Sequence, residues 1–255
     1  MRRFALTFLM SATLIASSLP ARAVQNLTDV VVLEYQWYRD NPSFRSDFDF
    51  RPEQESMSIC GCGNQGRVQL LALKEVLPIA RAFVYSRRPE KAFVFAEEMS
   101  AELGIKVSAI KSDRDLRDAL QQSDVCVTCT TARRFFIRKD AVSPGTFIAA
   151  VGADSPDKQE LDPELLPGAK VVADILDQCA AVGELHHAIS QGLMTRDDVH
   201  AELGEIVAGR KPGRTSPEEI TIFDSTGTAL QDVAAAAAIY NKAFSSDVGT
   251  LFNLT

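Results

Sequence analysis

An α/β fold, doubly wound about a parallel sheet, is what the sequence predicts, and three observations carry that expectation. Short apolar segments alternate with amphipathic helical ones from Ser56 to Val151, the pattern of strands joined by crossover helices. A Gly61-x-Gly63-x-x-Gly66 turn stands between the first strand and the first helix. The 255 residues are 46% hydrophobic and 24% charged with only 14 Gly, enough apolar material for a large core and too little glycine for a fibrous or disordered chain.

The elements follow in order. Ser56–Cys60 reads as a strand running into the glycine turn, and Val68, Leu71, Ala72 and Val76 recur at helical spacing before Pro78 ends the run. Ala80–Tyr85 is a second strand, Pro89–Leu103 a second helix with proline at its start, and Ile105–Ala109 a third strand. Asp113–Gln121 is helical, Asp124–Thr128 a fourth strand, and Thr146–Val151 a fifth after the Ser143-Pro144-Gly145 turn. Right-handed crossovers between such units give the doubly wound arrangement of Rossmann type. Beyond it the chain reads as helical from about Asp174 to Val207, then a loop, a strand at Glu219–Phe223 and a last helix through the Ala234–Ala238 run. Domain limits are expected at 1–55 for an aperiodic, aromatic-spotted arm, 56–243 for the nucleotide-binding domain and 244–255 for a tail.

Charge and cysteine usage exclude several classes. A net charge of −7 argues against a general nucleic-acid binder, and no apolar run has the length of a confident membrane span. Five cysteines form no disulfide framework. Cys60, Cys62, Cys126 and Cys129 give C-x-C and C-x-x-C spacings, but Cys60 and Cys126 lie in apolar strands, and no metal site is expected. His186, His187 and His200 lie on a charged stretch and read as surface residues. Met1–Ala23 joins a basic start, a short apolar run and an Ala-Arg-Ala end, the parts of a cleavable secretory signal; a buried strand or helix is the rival reading.

The chemistry concentrates at the glycine turn. Gly61 permits the tight bend, Gly63 lets a pyrophosphate approach the backbone, and Gly66 lets helix and strand pack closely, so a dinucleotide site is expected there. NAD sites place an acid at the end of the second strand. Here Ser86-Arg87-Arg88 occupies that place, and its donors and charges suit a 2′-phosphate, which favours NADP(H) over NAD(H). After the fifth strand comes Gly152-Ala153-Asp154-Ser155-Pro156-Asp157-Lys158, at the sheet edge where ligands bind. Asp154 there could exchange protons beside a hydride acceptor if burial raises its pKa; a turn or N-cap aspartate is the plainer reading. Asp224-Ser225-Thr226-Gly227 reads as a helix N-cap or, through its hydroxyls, a ligand contact.

Taken together these pieces resemble the ornithine cyclodeaminase/mu-crystallin family. The matching stretches are Gly61-Cys62-Gly63-Asn64-Gln65-Gly66, Val151 through Leu161, Gly183-Glu184-Leu185, Glu202-Leu203-Gly204-Glu205-Ile206 and Phe223-Asp224-Ser225-Thr226-Gly227, in order over about residues 57–243, with the Ala-Asp-Ser-Pro and Asp-Ser-Thr-Gly versions most like the alanine dehydrogenase and ketimine reductase branch. The resemblance implies hydride transfer at the α-carbon of an amino acid or its imine, with ornithine-type cyclodeamination and a non-catalytic NADP-binding remnant as alternatives. It implies Asp154 as the catalytic carboxylate, also touching substrate. Asn64, Gln65, Thr128, Thr130, Val151, Lys158 and Ser225 are implied as cofactor contacts, and Thr226 as a substrate contact. Members carry a longer substrate and dimerisation segment before the turn than the 60 residues that precede Gly61 here, and Phe8–Ile15 is similar to one of its strands. A truncated N-terminal arm is therefore expected, with a homodimer if that arm suffices and a monomer otherwise. An NADP(H) enzyme is expected in the cytoplasm, with the secretory reading of Met1–Ala23 pointing to the periplasm or outside.

Overall fold

The computed structural model describes residues 55–246 and 248–250. The readings made for Met1–Ala23 and Phe8–Ile15, for most of the 1–55 arm and for the last residues of the tail lie outside that range. In chain order the strands are β1 Ser56–Cys60, β2 Arg81–Tyr85, β3 Lys106–Ala109, β4 Val125–Thr128, β5 Arg133–Ile137, β6 Phe147–Ala150, β7 Gln159–Leu161, β8 Lys170–Ala173, β9 Ala201–Glu202 and β10 Thr221–Asp224. The α-helices are α1 Asn64–Val76, α2 Pro89–Leu103, α3 Asp113–Leu120, α4 Leu176–Val182, α5 Glu184–Ser190, α6 Leu203–Val207 and α7 Ala229–Ser245.

Eight strands form one sheet in the order β3-β2-β1-β4-β6-β10-β8-β9, every pair parallel. The chain moves outward from β1 through β2 to β3, then returns to lay β4 on the other side of β1, so the strand order reverses between β1 and β4. Such a reversal opens a crevice at the carboxyl ends of the strands. The expected doubly wound α/β sheet is the observed fold.

Alternation along each strand sends side chains to two separate cores. Met57, Ile59, Val125, Val127, Phe147, Ala149, Val172 and Phe223 meet α1 and α2 on one face, where Leu70, Leu73, Phe95 and Met99 are buried. Cys60, Cys126, Ile148, Ala150, Val171, Ala173 and Ile222 meet α3, α4 and α5 on the other, against Leu116, Leu120, Cys179, Leu185 and Ala188. The β1, β4, β6 and β10 strands are buried along their whole length, as a sheet covered on both faces requires.

Strands β1 to β4 and β6, and helices α2 and α3, fall within a residue of their expected limits. The C-terminal part differs. The expected helix from Asp174 to Val207 is broken into α4 and α5, then a loop, β9 and α6. Gly183 ends α4, where a Cβ would sit 2.6 Å from an Asp224 carboxyl oxygen, and Gly192 takes a left-handed φ of 69°. Strands β5, β7, β8 and β9 have no counterpart in the sequence reading. Arg-Arg-Phe-Phe-Ile and Gln-Glu-Leu carry no alternating apolar signal, and β5 and β7 pair only with each other in a small separate sheet. Among the described residues no helix is long and apolar enough to cross a membrane.

Ile148 is fully buried in the middle of the sheet. Ile148→Ala should lower unfolding free energy by about 2–5 kcal/mol, read from the midpoint shift in a urea titration at unchanged m-value.

Candidate active site

Strand register decides what lies together. Tyr85 pairs with Cys60, Cys60 with Thr128, Thr128 with Ala150, Ala150 with Asp224 and Asp224 with Ala173. These residues close their strands in one row, so the segments leaving β1, β2, β4, β6, β8 and β10 emerge along one edge. The sequence-expected residues Gly61–Gly66, Ser86–Arg88, Thr128–Thr130, Val151–Lys158 and Ser225–Thr226 all belong to that edge.

The glycine turn is built as its spacing predicts. Gly61 has a φ of 127°, its N–H donates to Tyr85 O at 2.9 Å, and a Cβ on it would meet Cys129 O at 2.7 Å. At Gly66 a Cβ would lie 1.9 Å from Gly61 O, so helix and strand approach too closely for any side chain. Gly63 has open space where a Cβ would stand, and it leads α1 with no side-chain cap and no acid in the first turn. The first N–H groups of a helix have no partner inside it. Exposed Gly63, Asn64 and Gln65 thus present free donors and a positive dipole end to solvent, which fits a diphosphate.

Beside the turn, β2 ends in a basic corner. Ser86 Oγ accepts the Arg88 N–H at 3.2 Å, and Arg87 and Arg88 are exposed, with no carboxylate of the described residues within ion-pair distance of either. Lys91, one turn into α2, adds a third positive charge that acts on the Cys62 thiol in the glycine turn. Sequence reading missed Lys91 because Cys62 and Lys91 are brought near each other only by the fold.

On the other side of the crevice stands Asp154. It lies in an irregular turn, its side chain 58% exposed, and Lys158 Nζ donates to it at 2.6 Å. No helix starts there, so the N-cap reading is excluded. Its side chain is open to solvent beside Lys158. Val151, just past β6, donates its N–H to Thr128 O at 2.9 Å and so holds the two loops side by side. Thr130 Oγ1 accepts the Ala132 N–H at 3.1 Å, which folds the segment after β4 back on itself.

The hydroxyls of Ser225 and Thr226 both donate to Asp174, at 3.1 and 3.3 Å, and the N–H groups of Thr226 and Gly227 donate to it at 2.9 Å each. Asp174, at the end of β8, therefore shapes the loop after β10. Asp224 does not cap α7, the helix that follows it. Its carboxylate instead accepts the N–H groups of Glu184 and Leu185, at 3.2 and 2.9 Å, and so caps α5. Glu184 in turn accepts the N–H groups of Glu160 and Leu161 at 2.7 and 3.0 Å, and Glu160 Oε1 accepts the Thr130 N–H at 2.6 Å.

Burial pushes the Asp224 carboxyl up to about 7 against the pull of the Leu185 and Glu184 N–H groups. Burial, then the neighbouring Asp224 and Glu160 charges, hold Glu184 well above the usual carboxylate range. Glu160 is raised by burial and held back by Thr130. Sequence reading carried Glu160 and Glu184 only as parts of matched stretches, because no local pattern shows a carboxylate that grips a distant backbone. His187, expected at the surface, is half-buried and its Nε2 donates to Lys158 O at 2.7 Å; His186 and His200 likewise bond to Ala180 O and Pro212 O. All five cysteines are free thiols. Cys129 leans on the backbone oxygens of Cys60 and Gly61, and no cluster of metal-ligating side chains occurs among the described residues.

A family model, ornithine cyclodeaminase/mu-crystallin family, matches residues 48–247. The chain belongs to the ornithine cyclodeaminase/mu-crystallin family. Within it, alanine dehydrogenase of Archaeoglobus fulgidus is 42% identical over 200 residues, covering 78% of this chain and 60% of that protein. Iminosuccinate reductase of Paracoccus denitrificans is 37% identical over 187 residues, 73% of this chain and 56% of its own length. The chain thus spans about 60% of the length of the first curated relatives it matches. Among solved structures, Thermococcus litoralis Δ1-pyrroline-2-carboxylate reductase in complex with NADH and L-proline superposes with a TM-score of 0.78 at 34% identity, over 87% of this chain and 68% of that one. An archaeal alanine dehydrogenase dimer with bound NAD gives 0.77 at 38% identity, over 89% and 68%.

The raised Asp224 sets a pH dependence. The unfolded chain ionises this group near 4 and the folded chain near 7, so between those values the folded state holds the extra proton and stability falls as pH rises. Asp224→Asn should flatten that decline, measured as the slope of unfolding free energy between about pH 4.5 and 7.5 in urea titrations.

Proposed function

We propose that this chain is a nicotinamide-dinucleotide-dependent oxidoreductase acting at the α-carbon of an amino acid or its imine, with NADP(H) favoured over NAD(H). The observation that carries the reading is the glycine turn, with open space at Gly63 and an uncapped α1 beyond it, and with only β4 between its strand and the one that leads to Asp154. The relatives named above support the reaction class, since they are dehydrogenases and reductases of amino acids or imines.

The reading assigns each residue a task. Gly61, Gly63, Asn64, Gln65 and Gly66 hold the diphosphate through backbone N–H groups, which bind anions without adding a charge of their own. Ser86, Arg87 and Arg88 take the 2′-phosphate, with Lys91 beside them; guanidinium pairs bind phosphate in bidentate fashion where a carboxylate would repel it. Thr128, Thr130, Val151 and Ser225 line the other half of the crevice. When bound, the dinucleotide supplies or accepts a hydride. Asp154 moves the proton of the amine or of the attacking water, and Lys158 orients Asp154 and faces the dinucleotide. Thr226 stands on the substrate side. A small amino acid or imine is the partner, an enzyme of this kind belongs in the cytoplasm with its NADP(H), and a second copy of the chain completes a dimer.

Fluorescence titration with NADPH and NADH tests the cofactor. NADPH should bind more tightly, and Arg87→Ala with Arg88→Ala should weaken NADPH by about ten- to a hundredfold while leaving NADH nearly unchanged. Equal loss for both nucleotides, or no binding of either, would sink the assignment. Asp154→Asn should lower turnover of imine or amino acid by about 100-fold or more with dinucleotide affinity kept, measured as steady-state absorbance change beside the titration. Net oxidation of NADPH in that assay also separates reduction from redox-neutral cyclodeamination.

A further inference from the structure

Glu160 has no task in the mechanism above, yet it is fully buried at the centre of the site edge. It sits on β7, whose ladder partner is β5 and not the main sheet, so its side chain enters the site from outside the row of strand ends. Oε1 accepts the Thr130 N–H at 2.6 Å, which fixes the loop leaving β4. Oε2 lies against the backbone of Gly152, where a Cβ would come within 2.2 Å, and Thr128 and Gly152 act with Thr130 to favour the charged carboxylate. One carboxyl therefore touches both loops that flank the crevice between β4 and β6.

The placement of Glu160 is itself enforced. Its own N–H is taken by Glu184, the next N–H, of Leu161, by the same carboxylate, and the carbonyl of Lys158 by His187. Glu184 and His187 lie three residues apart on α5, and so face β7 together. Gly152 has no left-handed φ, so glycine is required there by the Glu160 carboxyl and not by backbone conformation.

In a sheet that reverses order between β1 and β4, the adenosine half of a dinucleotide lies toward β2 and the nicotinamide half toward β4 and β6. We propose that Glu160 is a positioning residue for the nicotinamide half, holding the Thr128–Thr130 and Val151–Asp154 loops at a fixed separation. This inference rests on the dinucleotide reading above and assigns that half of the site its framework. Glu160 acts through the loops and touches neither substrate nor reacting atoms.

The test compares NADPH with 2′-phospho-ADP-ribose, which keeps the adenosine and diphosphate but lacks nicotinamide, on the full 255-residue chain. For Glu160→Gln the expected result is about tenfold weaker NADPH binding with a reduced fluorescence enhancement, and fragment affinity unchanged within about twofold. Glu160→Ala opens a space against Gly152, and adding Gly152→Ala fills it. The double variant should regain the melting temperature that Glu160→Ala loses, yet keep the nicotinamide defect, because the grip on Thr130 is still absent. Parallel loss of NADPH and fragment affinity, or recovery of both stability and NADPH binding in the double variant, would overturn the positioning role and leave the dinucleotide reading intact. Failure of the unaltered chain to bind NADPH, NADH or the fragment would overturn both.

Discussion

A loop that leaves a parallel sheet carries backbone N–H groups with no further strand to accept them, and burying such donors unpaired is costly. In this protein carboxylates accept them. Asp174 takes two N–H groups of the Ser225–Gly227 segment, Asp224 takes two at the start of α5, Glu184 takes two of β7, and Glu160 takes that of Thr130. Each acid is held by an element different from the one it grips, so the contacts join the loops after β4, β6, β8 and β10 into one frame. Remove that set of bonds, and the row of strand ends would still exist but the loops above it would have no defined shape.

The arrangement has an electrostatic consequence. Burial raises Glu160, Glu184 and Asp224, and the neighbouring Asp224 charge raises Glu184 further, so each of these acids keeps its charge at a cost. The N–H donors offset part of the cost, since a carboxylate receiving two of them is stabilised in its charged form. On the opposite side of the crevice the balance is positive, with the α1 terminus, Arg87, Arg88 and Lys91 grouped together. The site is thus polarised along the sheet edge, positive toward β2 and acid-rich toward β10, which suits a ligand with phosphates at one end and an amine or imine at the other.

Much of this was legible in the sequence, and the reasons are local. Strands β1, β2, β4 and β6 and helices α1 to α3 are set by apolar spacing and by Pro89, Gly61 and Gly66, features that act within a few residues. The glycine turn and the missing acid after β2 could be read for the same reason. The C-terminal part was less legible because its boundaries depend on distant partners: α4 stops at Gly183 where the Asp224 carboxyl already occupies the space, and β7 is defined by what Glu184 accepts from it. Asp224 shows the limit most clearly. Sequence proximity assigns it to the helix that follows, whereas its carboxylate serves a helix some forty residues earlier.

The strict division of each strand between two cores also sets how the protein can change. A side chain moved by one position along β4 would pass from the face of α1 to that of α3, so deletion of a single residue there would exchange Val127 for Cys126 in both cores and draw Thr128 back from the edge by about 3.3 Å. Length is therefore frozen in the strands and free in the loops. New substrate preferences in a chain of this construction can arise by insertion or replacement beyond Thr226, while the strand ends beneath act as an immovable ruler.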